Sequence, residues 1–408
     1  MEKVDLLISG KEIVTLSGGV RKGRNQMNNL EIIKNGKIAV KNGKIHWIGR
    51  NREFRAETEI DASNKVLIPG LVDPHTHAVF EGSREDELEL KLKGVSYLEI
   101  LKMGGGILRT VRETRRASKS RLFKRGKKVL DEMLAYGTTT VEIKSGYGLN
   151  SKEEVKILEV INRLKEEHPM DVVPTFMGAH AIPEGKTEEE YVREIIDDMI
   201  PEVSKLAEFC DVFLENGVFG RDSSKKILLE AKRHGLVPKV HADELSYSGG
   251  AELASEVGAI SADHLVFSSD EGISSMVRNN VIGILLPVSS LTLGNKYAKA
   301  RKMIDSGMVI ALGTDYNPVC WNLNMQIVMA LGIYSLRMTQ AEVISASTIN
   351  AAASIGLEGK LGSLEVGKQA DILILGVENY RQIGYKFGTN LVEGVIKRGE
   401  VVVNNSLE

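Results

Sequence analysis

The stretch from Ile68 to His77, IPGLVDPHTH, settles how the rest of the chain is read. An apolar run of strand length ends in two histidines separated by one residue. On an extended backbone successive side chains point to opposite faces, so His75 and His77 share a face and have chelating geometry. A second stretch answers the first from far along the chain: VIALGTD, Val309 to Asp315, is an apolar run that closes on a carboxylate.

Counting these two, eight short runs rich in Val, Ile and Leu occur, around 68–75, 138–144, 171–178, 210–214, 236–241, 260–264, 281–286 and 309–315. Most are followed by a helical pattern. The helix expected from Ser151 carries Val155, Leu158, Ile161 and Leu164 on one stripe, and Glu154 completes a capping box with Ser151. Thr339 with Glu342 repeats that signature before a helix ending near Ile355. Continuous apolar strands alternating with amphipathic helices imply a parallel sheet covered by helices, and eight repeats is the number that closes into a barrel. The expected class is therefore α/β, a (β/α)8 TIM-like barrel. An open doubly wound sheet is the alternative that periodicity alone leaves standing.

Outside this block the texture changes. Short apolar runs punctuated by glycine dominate Val4 to Leu67, as in GKIAVKNGKIHWIGR (36–50), where Asn42-Gly43 is a hairpin signal. The same texture returns in GKLGSLEVGKQADILIL (359–375) and VEGVIKRGEVVVNN (392–405). The two ends are expected to pair into a small β-sandwich, 1–65 with 358–408, flanking a catalytic barrel over 66–357.

Composition narrows the function classes. Of 408 residues, 42% are hydrophobic and 26% charged, 53 basic against 55 acidic, for a net charge of -2. No basic stripe suggests nucleic acid: the run Arg109 to Arg125 is broken by acids and apolar residues at helical spacing and reads as a solvated helix face. Cys210 and Cys320 supply neither a disulfide framework nor a paired metal spacing, which points to a reduced, cytoplasmic setting. Neither a signal-like apolar segment nor a membrane-length run occurs. Gly104, Gly105 and Gly106 lack the flanking residues of a phosphate cradle and read as a mobile loop able to fold over a substrate.

His75, His77, His180, His241, His264 and Asp315 all fall at or just past the ends of expected strands, where barrel enzymes assemble their sites. Five of the eight histidines are in this group; His46, His168 and His234 are not. One histidine alone is more often structural, but the joint placement argues for a site. His75, His77, His241 (opening HADE) and Asp315 make three imidazoles and one carboxylate, a set suited to a single Zn²⁺, with iron as the alternative, at about 2.1 Å. Such an ion lowers the pKa of a bound water to roughly 7 and polarises a carbonyl, so hydrolysis is the expected chemistry. No lysine at the end of the fourth strand suggests a second, bridged ion. Glu244, three residues past His241, can take the water's proton; its bland alternative is a capping acid.

Taken together, PGLVDPHTHAVFEGSRE (69–85), GGGILRTVRETRRAS (104–118), GTTTVEIKSGYGL (137–149), TFMGAHAIP (175–183), HADELSYSGGAELA (241–254), GAISADHL (258–265) and TDYNP (314–318) resemble the amidohydrolase superfamily, and within it the imidazolonepropionases. The likeness runs essentially end to end. The paired histidines are shared across the superfamily, whereas VEIKSGYG with GAHAIP and HADE is far more selective. The resemblance implies hydrolysis of 4-imidazolone-5-propanoate to N-formimidoyl-L-glutamate in a cytoplasmic homodimer. It further implies catalytic roles for Glu244, His264 and Asp315, and substrate contacts from Arg84, Tyr147, His180, Glu244 and Asn317. Arg84 is the expected partner of the propanoate, because a guanidinium matches a carboxylate fork to fork. The family usually carries a small polar pair such as Gly-Ser after the DxNP motif, where this chain has Val319 and Cys320. A heterocycle aminohydrolase of the same superfamily, or a non-catalytic scaffold on this fold, are the rival readings.

Overall fold

In the computed structural model residues 1–95, 99 and 103–405 are described. Four strands come first: β1 (Glu2–Val14), β2 (Ile32–Lys41), β3 (Lys44–Gly49) and β4 (Phe54–Pro69). The β2–β3 hairpin turns on Asn42 and Gly43, at φ 53° and 72°, the left-handed pair that a tight hairpin requires. Eight strands follow: β5 (Leu71–Thr76), β6 (Thr138–Lys144), β7 (Asp171–Ala179), β8 (Phe209–Leu214), β9 (Val237–Ala242), β10 (Ser261–His264), β11 (Ile282–Leu285) and β12 (Ile310–Leu312). The chain ends on β13 (Ile372–Leu375), β14 (Val392–Lys397) and β15 (Glu400–Asn404).

The two ends do meet. They form one seven-stranded sheet in the order β15-β14-β13-β4-β1-β2-β3, with Ile372 of β13 opposite Pro69 of β4. Ile8, Ile38, Ile45, Leu67, Ile372 and Ile396 share one buried cluster. Because that cluster joins β3 to β14, far apart in the strand order, the sheet curls over on itself and encloses its own core, as a sandwich does.

β5 to β12 are parallel neighbours in chain order, with helices between them. The ring closes at the paired histidines: the Asp315 amide donates to the His75 carbonyl at 3.1 Å, and the His77 amide donates to the Tyr316 carbonyl at 2.8 Å. Thr314 adds its hydroxyl, donating to Asp73 at 2.5 Å. The sheet is therefore a closed barrel, and closure fixes two candidate ligands and Asp315 relative to one another.

Three local expectations are corrected. Asn150, not Ser151, caps the helix Ser151–Glu167, accepting from the Glu153 amide, while Glu154 turns away to accept from the amides of Gly146, Gly148 and Leu149. Thr339 and Glu342 do form a capping box, but that helix stops at Ala346 and a separate one spans Ile349–Ala353. The basic run is only partly a solvated face. Arg115 donates to the carbonyls of Gly148 and Leu149, and Arg125 packs over the Phe80 ring and donates to the Gly82 carbonyl, so these two long side chains tie down loops at the barrel mouth. No helix among the described residues is long and apolar enough to cross a membrane.

Candidate active site

Each of the eight barrel strands delivers side chains alternately to the barrel interior and to the helix layer, and the interior positions near the strand ends carry the chemistry. His75 lies within β5 and His77 just beyond it; their rings are 5.6 Å apart. His241 lies on β9, with its ring 4.5 Å from that of His75. His264 ends β10 at φ 72°, a left-handed backbone uncommon outside glycine, and its ring lies 5.1 Å from that of His241. Asp315 sits three residues past the end of β12, not on it, also in the left-handed region at φ 52°. The departure from the strand follows from Gly313 and from Thr314 being drawn onto Asp73.

The ligand atoms of His75, His77 and Asp315 lie within 4.8 Å of one another, as do those of His75, His241 and His264, and those of Glu244, His264 and Asp315. Asp263 faces the His75 Nδ1 at 2.6 Å, and Asp211 faces the His241 Nδ1 at 3.0 Å. An ionised carboxylate only accepts, so each ring carries its proton on Nδ1 and turns a bare Nε2 inward. The buried His75 Nε2 and His264 Nε2, and the Nδ1 of His77, have no hydrogen-bond partner. Orphaned buried nitrogens are rare, and His75 Nε2, 3.5 Å from the Asp315 carboxylate, is one that a divalent cation would satisfy. The residues present fit a metal ion: His75 with His77 and Asp315, and His75 with His241 and His264, are the groups that could hold one.

Above this ring stands Glu244, its side chain 13% exposed, with Oε1 3.6 Å from His264 Nδ1. Its backbone carbonyl accepts from Asn295 at 3.1 Å. Burial, with the Asp315 carboxylate beside it, pushes the Glu244 carboxyl up to about 8. Burial likewise raises Asp315, to about 6.

The expected substrate contacts are placed as follows. His180 stacks on His77 at 4.9 Å, with Nδ1 3.1 Å from the Gly146 carbonyl, and burial followed by the charge of His241 lowers its pKa to about 3. Tyr147 is buried against His180, their rings 5.2 Å apart, in the loop that Glu154 and Arg115 hold. Arg84 is buried and forks Glu87, its Nε and Nη2 donating to Oε2 at 2.9 and 2.7 Å. The other Glu87 oxygen accepts from the Gly106 amide at 2.8 Å, which ties the glycine loop to the arginine. Asn317 is engaged in its own turn, accepting from the amides of Val319 and Cys320 and donating to the Asp315 carbonyl. Val319 stays out of the left-handed region, so the valine sits there without strain, and Cys320 is buried with Sγ 3.5 Å from the Thr314 carbonyl.

Sequence reasoning missed Asp211, Asp263, Glu142, Lys144, Glu154 and Glu87. A usable signal existed for the first four: each is an ionisable residue inside an apolar strand run. All four are fully buried.

The sequence profile of the amidohydrolase family matches residues 66–402. The chain is 50% identical to the imidazolonepropionase of Alkaliphilus metalliredigens over 98% of both chains. The chain belongs to the amidohydrolase family, among its imidazolonepropionases. Within that group the enzyme of Geobacillus kaustophilus is 49% identical over 97% of both chains, and that of Clostridium tetani 46% identical over the whole of both. Solved amidohydrolase-like folds agree at far lower identity. An adenosine deaminase from Xanthomonas campestris with bound zinc superposes at TM-score 0.76 with 18% identity, covering 100% of this chain and 95% of that one. The guanine deaminase of E. coli superposes at 0.74 with 14% identity, covering 98% and 99%. These two carry the fold alone.

Proposed function

We propose that this chain hydrolyses the ring amide C–N bond of 4-imidazolone-5-propanoate to give N-formimidoyl-L-glutamate. The observation that carries the reading is the buried cluster in which His75 is grouped with His77 and Asp315 and again with His241 and His264, its Nε2 unpartnered and 3.5 Å from Asp315, with Glu244 beside His264 and Asp315. The substrate follows from the near full-length likeness to imidazolonepropionases.

One divalent ion, Zn²⁺ in the first instance and iron in the second, supplies Lewis-acid polarisation of the ring carbonyl and acidifies a water when bound. Glu244 takes a proton from the attacking water as the water oxygen adds to the ring carbonyl carbon, then gives the proton to the ring nitrogen as the C–N bond breaks. His264 donates to the oxygen on which charge develops, a contact of the kind worth about 3 kcal/mol in a barrier. Asp315 would help His75, His77 and His241 hold the ion, and its carboxylate can accept a hydrogen bond from the attacking water.

Arg84 pairs the propanoate. Glu87 already holds Nε and Nη2 of the guanidinium in place, which leaves its other N–H groups to pair with the carboxylate. Tyr147 and His180 line the same side as His77 and orient the ring, and Asn317 offers its remaining amide N–H from the turn.

The test is loss of the imidazolone ultraviolet chromophore beyond its spontaneous decay, with formimidoylglutamate identified as product. Ammonia release from an uncharged purine, pyrimidine or triazine with the imidazolone left intact would overturn the substrate and favour an aminohydrolase. Turnover of neither with no metal retained would favour the scaffold reading.

A further inference from the structure

Lys144 ends β6 with its ammonium fully buried inside the barrel, an environment in which an unpaired charge is rarely tolerated. Its Nζ lies 2.8 Å from Glu142 Oε1, 2.8 Å from Asp211 Oδ2 and 3.8 Å from Asp263 Oδ2. Two of these three carboxylates are the ones that face ligand histidines: Asp211 Oδ2 contacts His241 Nδ1, and Asp263 Oδ2 contacts His75 Nδ1. The same oxygen atom that meets the imidazole also meets, or comes closest to, the lysine. One ammonium therefore sits behind two ligands that come from strands on different sides of the ring, β5 and β9.

The remaining contacts of the two aspartates are too few to orient them alone. Asp211 Oδ1 accepts from the His241 amide at 3.1 Å, and Asp263 Oδ1 accepts from the Ser261 hydroxyl at 2.8 Å. Lys239, the other buried lysine in this part of the barrel, reaches the Ser354 carbonyl at 3.4 Å and adds no short contact to either aspartate. Tautomer and tilt of a ligating imidazole are set by the partner of its other nitrogen, and loss of such a partner typically weakens metal binding by about 10–100-fold. We propose that Lys144 is a positioning residue for the metal centre: by gripping Asp211 and Asp263 together it fixes the orientation of His241 and His75 at once. The proposal rests on the reading of the ring as a metal site. It assigns Lys144 no contact with substrate.

Removing the ammonium outright leaves three buried carboxylates uncompensated, and Lys144→Met alone can fail to fold for that reason. The pair Lys144→Met with Glu142→Gln restores the net charge of the cluster while still removing the grip. The experiment measures Zn²⁺ affinity by competition with a chromophoric chelator for the wild type, Lys144→Met and the double variant, and records visible absorption of the Co²⁺-loaded forms as a report on ligand arrangement. The expected result is affinity lower by about 10–100-fold in the double variant, with a changed Co²⁺ spectrum and a thermal transition close to wild type. Wild-type affinity and spectrum in the charge-balanced double variant would overturn the positioning role and leave Lys144 as charge compensation only. Wild-type protein that takes up no metal would overturn the metal reading itself, which is a distinguishable failure.

Discussion

Two buried polar clusters sit at opposite ends of the same barrel, and they are built differently. At the strand starts, Asp171 and Asp371 share Lys397 at 2.6 and 2.7 Å and share Gln369 at 2.6 and 2.8 Å. Arg398 closes that cluster, its guanidinium on Asp171 and its amide donating to Asp371. It joins β7 of the barrel to β14 of the end sheet, and its side chains are paired. At the strand ends, the histidine ring keeps His75 Nε2, His77 Nδ1 and His264 Nε2 buried without a partner. Buried polar groups cost free energy unless paired. A satisfied cluster fixes structure, whereas unpartnered buried nitrogens such as His75 Nε2 are groups that a bound ion would satisfy.

Substitutions at the two ends should separate cleanly. Glu244→Gln keeps the ring's ligands and removes the proton carrier, so kcat falls by about 10²–10⁴-fold with bound metal unchanged. Equal loss of metal in that variant would make Glu244 a ligand instead. Arg84→Ala is expected to lower kcat/KM for the propanoate substrate by roughly 10–100-fold, the cost of a charged hydrogen bond, with the larger part in KM. A change confined to kcat would show that Arg84 shapes the loop and not the carboxylate site.

The smallest effect on activity belongs to the other end. Burial alone would raise the Asp171 carboxyl, but Lys397, Gln369 and Arg398 outweigh it and hold the group down at about 2. A carboxylate whose pKa is lower folded than unfolded stabilises fully above its unfolded value near 4, and that contribution is lost as pH falls towards 2. Asp171→Asn should therefore lower unfolding free energy by roughly 2–3 kcal/mol at neutral pH, leave metal and turnover at wild-type levels, and approach the wild type in acid. Urea unfolding at neutral pH and in that acid window reads both. A variant equally destabilised at both would remove the ion network from the account.

The sequence carried the barrel because its strands are continuous apolar runs of the right length, and it carried the ring because histidines and an aspartate stood at their ends. Asp315 was read as strand and lies beyond it, since nothing local announces that Thr314 leaves the ladder for Asp73 on β5. Glu154 read as a capping residue because spacing alone is blind to an alternative acceptor role, here three amides of the Tyr147 loop. The contacts of Lys144 with Asp211 and Asp263 were unread because these residues lie on different strands, and only the folded barrel brings them together. Glu87 was hidden for a simpler reason: three residues from Arg84, it looks like a first-turn helix acid until its other oxygen is found on Gly106.

The most direct test is elemental analysis of the purified wild type beside His241→Ala and Asp171→Asn. About one divalent ion per chain is expected in the wild type and in Asp171→Asn, and almost none in a still-folded His241→Ala. A wild type that folds and carries no ion after metal-replete growth, or a His241→Ala variant that keeps its ion, would contradict the assignment of the unpartnered ring as a metal centre.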